Sequence, residues 1–324
     1  MSLLPLFDEP DDRDLAPQAA RLAPKLRACA EKGVYFGTSS WKYEGWLGTV
    51  YSPDHYLTRG KFSRKKFEAE CLEEYARIFP MVCGDFAFYQ FPTPEYWEKL
   101  FKGTPESFLF GFKVPEDITV AKWPSHARYG ERAGRENKGF LDANLFRTLF
   151  AKRLDPYAER VATLIFEFGT FAKSVFPTPD DFLNRLNHFL EGLPDGFRYA
   201  IEIRNPEYLG PGYFSMLASH NVAHVFNAWT RMPEVGKQIE MADAFTAEFT
   251  VVRALLGKGR PYEKAVEAFQ PYERIQDPNP GVRTAMGEIA RRAIRQGRSA
   301  FLFVNNRLEG HAPTTIESVM EMID

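Results

Sequence analysis

The sequence predicts an α/β protein built as a single (β/α)8 barrel, and three observations predict it. Eight short apolar runs recur along the chain, helical periodicity fills the stretches between them, and no glycine-rich nucleotide fingerprint follows the first run. The runs are Val34–Thr38, Val82–Tyr89, Phe108–Lys113, Thr163–Phe168, Arg198–Ile203, Val222–Asn227, Phe249–Ala254 and Ala300–Val304. Most carry apolar residues at consecutive positions, the pattern of strands buried on both faces of a parallel sheet. A doubly wound open sheet is the competing arrangement. The stretch Gly37-Thr38-Ser39-Ser40-Trp41 lacks the glycine spacing that it would need.

The elements have local reasons. Residues 1–15 read as a frayed acidic tail, and residues 16–30 as a short amphipathic helix interrupted by Pro24. An N-terminal extension over 1–30 and a barrel domain over 31–324 are therefore expected. Phe67, Cys71, Leu72, Tyr75, Ile78 and Phe79 recur at helical spacing. Thr178-Pro179-Asp180-Asp181 starts a helix, with a capping hydroxyl, Pro in the first turn and acids facing the dipole. Phe182, Leu183, Leu186, Phe189 and Leu190 form its buried stripe, which Gly192 ends. Met286, Ile289, Ala293 and Ile294 form another, ended at Gly297. Two connections are long: Pro115–Arg160, with nine Lys or Arg against seven Asp or Glu, and Gly257–Gly281, rich in Pro and charge. Both are expected as lids or rims at the mouth of the barrel.

Composition narrows the classes of function. The 324 residues are 44% hydrophobic with 29 Phe, enough for a thick layered core. A net charge of −2 argues against bulk adhesion to nucleic acid. Three cysteines, Cys29, Cys71 and Cys83, fall in no metal-ligand spacing, so a reduced, cytoplasmic protein is expected. No signal-peptide pattern or membrane-length apolar run occurs, and no membrane association is expected. The six histidines form no HxH or HExxH pair, and no GxSxG elbow or P-loop occurs. No metal is expected, and no cofactor is implied.

In a (β/α)8 barrel the functional groups gather at the carboxyl ends of the strands. Those ends here carry Ser39 and Ser40, Tyr89, Lys113, Glu167, Glu202 and Arg204, Asn227, Arg253, and Asn305 with Asn306. The loop after the first run adds Trp41, Tyr43 and Trp46, as a ligand wall or as a plug on the core. Glu202 and Arg204 lie two apart on one strand and share a face, either as a salt bridge or as a proton-moving carboxylate beside an anion-binding guanidinium. Lys113 is expected as an electrostatic or proton-transfer group in a partly buried mouth. Glu167 with Glu202 matches the carboxylate pair of a glycosidase. Leu256-Gly257-Lys258-Gly259-Arg260 matches either a phosphate loop or a plain surface turn.

At these positions the chain resembles the domain of unknown function 72, or YecE-like, family. The likeness runs through Gly37-Thr-Ser-Ser-Trp-Lys-Tyr43, Trp46, Tyr51-Ser-Pro53, Phe88-Tyr89-Gln-Phe-Pro, Phe110-Gly-Phe-Lys113-Val-Pro115, Ala200-Ile-Glu202-Ile-Arg204 and Phe303-Val-Asn305-Asn306-Arg-Leu-Glu-Gly310-His-Ala-Pro313. The resemblance implies a TIM barrel and no established reaction. The chain departs from the family pattern at Cys83 and Asp85, where Glu and Asn are usual, at Asn227, where Asp is common, and at Leu255-Leu256, where His precedes Gly. A carboxylate and an imidazole are thereby missing from the mouth.

The expected function is that of an enzyme or binder acting on a small anionic (phosphorylated) or polyhydroxylated ligand at the carboxyl mouth. Glu202 and Lys113 would be its catalytic residues. Two alternatives stand beside it: a nucleic-acid-linked protein with the 115–160 segment as its rim, and a barrel that binds ligand without catalysis.

Overall fold

The computed structural model describes residues 14–323. Eight parallel strands close into a barrel: β1 (Val34–Thr38), β2 (Met81–Gly84), β3 (Leu109–Lys113), β4 (Val161–Glu167), β5 (Tyr199–Glu202), β6 (Ala223–Ala228), β7 (Phe249–Ala254) and β8 (Ser299–Val304). Each pairs with its neighbour in chain order, and β8 returns to β1, so no sheet edge is left among them. The expected strands are all present. The second differs most in length: it stops at Gly84, and Phe86–Phe88 turn into a 3₁₀ helix, which carries Tyr89 away from the strand end.

The longer helices are α1 (Pro17–Glu31), α2 (Arg64–Ile78), α3 (Pro94–Lys102), α4 (Pro179–Glu191), α5 (Pro211–Ser219), α6 (Tyr262–Phe269), α7 (Pro280–Gln296) and α8 (Ala312–Met320). Pro24 does not interrupt α1, which runs through it while burying Leu22, Ala23 and Leu26. Burial of that face outweighs the lost intrahelical bond. The acidic tail expected over residues 1–15 lies outside the described residues, except for Asp14 and Leu15. Thr178 caps α4 as a capping box with Asp181. The stretch expected as a rim over Gly257–Gly281 contains α6.

Two apolar layers follow from strand alternation. Val82, Phe110, Phe112, Phe166 and Ile201 face outward into the shell of helices. Met81, Cys83, Ile165, Ala200, Val225, Val251, Phe301 and Phe303 fill the barrel interior. Gly111 makes room for this filling, because a Cβ there would lie 2.6 Å from the Phe303 ring. The next inward positions toward the carboxyl end are no longer apolar. That change of chemistry positions the site.

Candidate functional site

The inward-facing ends of β3, β4, β5 and β7 are Lys113, Glu167, Glu202 and Arg253. Register places Glu167 directly beside Glu202 on adjacent strands, an arrangement of like charges that needs a cation between them. Arg253 supplies it: its Nη1 donates to Glu167 Oε2 at 2.6 Å and also to Glu202 Oε2. Arg204, just past β5, folds back and donates to Glu202 Oε1 from Nε at 3.2 Å and Nη2 at 3.1 Å, while Nη2 lies 3.0 Å from Glu167 Oε2. The Lys113 ammonium reaches the same Glu167 oxygen at 3.1 Å. Its other face rests 3.8 Å above the Phe88 ring, and Arg204 lies 3.7 Å over Trp229.

Four of these side chains are buried, Glu202 at 0% and Arg253 at 2% exposure, and Arg204 is half-buried. Asp85, just beyond β2, is the sixth charge and the one nearest the opening. Its Oδ1 lies 3.9 Å from Lys113 Nζ and 3.8 Å from Arg253 Nη2, and it is buried without a hydrogen-bond partner. With Asp85 counted, three cations face three carboxylates. Burial works against a charged Glu167, but Arg204, Lys113 and Arg253 outweigh it and hold the carboxyl well below the usual range. Burial likewise opposes the Arg253 charge, and Glu202 and Glu167 restore it. Burial pushes the Cys83 thiol beneath the cluster up to about 12, so it is a neutral filler.

The geometry revises several expectations. A carboxyl held ionised by three cations donates no proton near neutral pH, so Glu167 does not suit the acid of a glycosidase pair. Both oxygens of Glu202 are taken by arginines, which makes it a holder of those cations rather than a mover of protons. Trp46 is fully buried against Tyr43, Tyr51 and His311 and belongs to the core. Trp41 is buried edge-on to Phe86, and its carbonyl accepts from the Tyr51 hydroxyl. Tyr89 is 56% exposed on the rim under Arg128. Asn227 is spent on closing the barrel, donating to the Ile203 carbonyl while Gln238 brackets its backbone. Asn305 caps the turn after β8 through Arg307 N–H, and Asn306 accepts from Ala312 N–H. Ser39 is buried at the end of β1 with an unpartnered Oγ. The glycine loop 256–260 forms no cradle: Lys258 pairs with Glu234 and Arg260 with Asp277.

Sequence reading missed Asp85 and Trp229 as site residues. Gly84 before Asp85 was the available signal of a strand end, and Trp229 follows Asn227 at the same end of the barrel. Behind Trp229 a cleft of about 380 Å³ opens along Met232, Leu256 and Pro280, and none of the six charges lines it. Tyr43 stands half-buried between Trp46 and Tyr272. Burial pushes its hydroxyl up to about 12, with Arg307 opposing that shift and Asp85 adding to it. On the 115–160 rim, Arg128 and Arg132 are neutralised by Glu116 and Asp117.

A family described as "Protein of unknown function DUF72" matches residues 35–324. The chain belongs to the DUF72 family. The UPF0759 protein YecE of Escherichia coli K12 is 27% identical over 180 residues, which is 55% of this chain and 51% of that protein. The chain thus spans about half the length of the curated relatives it matches. A DUF72 protein of Thermotoga maritima superposes with a TM-score of 0.57 at 20% identity, covering 89% of this chain and 97% of that one. A DUF72 protein of Enterococcus faecalis gives 0.60 at 19% identity, covering 90% and 95%. At such identities the DUF72 structures speak for the barrel alone. Among the described residues no helix is long and apolar enough to cross a membrane.

Proposed function

We propose that this DUF72 protein takes a small polyhydroxylated ligand at the carboxyl mouth of its barrel, with Asp85 and Lys113 as the groups that meet it. The observation that carries this is the buried lattice of Lys113, Glu167, Glu202, Arg204 and Arg253. Stability does not call for it, because a hydrophobic layer of the same volume usually serves a core as well or better. The lattice is charge-balanced once Asp85 is included, and it interleaves acceptors with donors, as hydroxyl recognition needs. The gaps of 3.8–3.9 Å around Asp85 Oδ1 exceed a hydrogen bond. A ligand hydroxyl, donor and acceptor at once, would answer Asp85 and Lys113 together. In a reaction at this site Lys113 is the group placed to polarise or protonate an oxygen, with Glu202 fixing the two arginines around it.

Calorimetric titration with neutral polyols tests the reading. Saturable binding in the native chain that Lys113→Met abolishes is expected. Absence of saturable binding across such a panel, or binding indifferent to Lys113, overturns it.

A further inference from the structure

The motif Asn305–Pro313 is mostly spent on architecture. Asn305 and His311 cap turns, Asn306 ties down Ala312, and Glu309 is bound by Arg283 and Thr315. One residue of the motif is left over. Arg307 is half-buried, yet it enters no ion pair among the described residues. Its guanidinium lies 4.5 Å from the centre of the Tyr262 ring and beside the Tyr272 hydroxyl. Its Nε is buried without a hydrogen-bond partner. Among the other half-buried guanidinium groups, Arg204 is neutralised by Glu167 and Glu202, Arg260 by Asp277 and Arg283 by Glu309. Arg153 and Arg160 donate to backbone carbonyls, and Arg292, which also lacks an ion pair among the described residues, sits on α7 over Phe245 rather than after a strand.

A guanidinium withdrawn from water without a counter-charge is a site prepared for an anion, and its planar fork matches phosphate or carboxylate oxygens. Arg307 follows β8, so it stands at the same end of the barrel as the charge lattice. Tyr43, from the loop after β1, packs edge-on against Tyr272 with ring centres 5.5 Å apart. We infer that Arg307 anchors the anionic group of the mouth ligand, which is therefore a phosphorylated or carboxylated polyol. Its hydroxyls meet Asp85 and Lys113, and its anion lies on Arg307 among Tyr43, Tyr262 and Tyr272. This inference rests on the reading of the mouth given above.

Titration with inorganic phosphate and, separately, with sorbitol tests the two parts independently. Phosphate binds the native chain saturably, Arg307→Gln weakens it about tenfold or more, and Arg307→Lys, which keeps the charge without the fork, falls between. Lys102→Met, at a surface lysine paired with Glu98 on α3, leaves phosphate affinity within about twofold, since a bond not made costs nothing when removed. Circular dichroism melting confirms that the Arg307 variants are folded. No phosphate binding to the native chain, or binding unaffected by Arg307→Gln, overturns the anchor. If sorbitol binding still depends on Lys113 in that case, the mouth reading stands while the anchor falls. Phosphate binding that depends on Arg307 without any sorbitol binding overturns the polyol assignment and leaves an anion site only.

Discussion

Two buried carboxylate–arginine centres in this barrel have similar ingredients and opposite finish. Under β8, Glu309 is 0% exposed and completely bonded. Arg283 grips it from Nε at 2.9 and 3.1 Å and from Nη2 at 2.8 Å, the Thr315 hydroxyl donates at 2.6 Å, and Asn279 N–H completes the set. At the mouth, Glu167 and Glu202 are as deeply held, but loose ends surround them. Arg253 Nε, Asp85 Oδ1, Ser39 Oγ and Asn227 Oδ1 are all buried without partners. A finished network ties chain segments together, here the segment before α7 to the one before α8. An unfinished one keeps a cost that folding alone does not offset, which is the ground for proposing a ligand there.

The sharpest way to break this distinction is to damage the finished knot. Glu309→Ala leaves the half-buried Arg283 charge without its partner and frees four donors, so urea unfolding should show a loss of about 3–5 kcal/mol. A loss below about 1 kcal/mol would remove the contrast between the two centres. Glu202→Gln comes next. It keeps the shape but removes one of the two carboxylates, Glu202 and Glu167, that neutralise Arg204 and Arg253, and should cost about 2–3 kcal/mol in the same measurement. A melting temperature unchanged by Glu202→Gln would return the residue to the catalytic role that its place in the sequence suggested.

Acid separates the centres in a second way. His311, which caps α8 beside Glu309, is lowered by burial to about 4. Below the ordinary histidine value the unfolded chain gains a proton that the folded chain refuses, so this contribution to stability falls as pH drops from about 6.5 toward 4. Buried His224, lowered to about 3, acts in the same direction. Glu167 behaves differently. Its folded value is depressed, so its contribution is full above the ordinary carboxylate range and is lost only as pH falls through that range toward the folded value. Unfolding free energies measured across this range should therefore decline first through the histidines. His311→Asn, which retains a cap, should flatten that first decline by about 1.4 kcal/mol per pH unit. An unchanged slope would show that His311 is not what senses the acid.

Much of this was legible in the chain. The apolar runs gave the barrel because a strand covered on both faces needs continuous apolar residues, and the strand ends gave Lys113, Glu167, Glu202, Arg204 and Arg253 because the topology leaves inward ends nowhere to go but the mouth. What could not be read is how each polar group is spent. Asn227, Asn305 and Asn306 sit at the predicted ends, yet their amides answer backbone groups that only the folded chain brings near. Trp46 belongs to a dense aromatic loop that turns inward onto Tyr51 and His311. Asp85 was noted only as a departure from the family pattern and not as a site residue, because the aromatic residues after Gly84 prolong the strand pattern beyond the strand.

The smallest expected effect on stability is the most informative about function. Lys113 contributes one of three cations on a single Glu167 oxygen, and Arg204 and Arg253 remain at 3.0 and 2.6 Å when it is gone. Its removal also spares the cost of burying an ammonium group. Methionine keeps most of its length against the Phe88 ring. Lys113→Met should therefore change unfolding free energy by less than about 1 kcal/mol in either direction, while abolishing polyol binding. A structural lysine would show the reverse, a large loss of stability with binding retained. Because Glu309 and Lys113 are both buried charges, the pair of variants isolates the variable at issue: whether a charge is held for the fold or held open for something else.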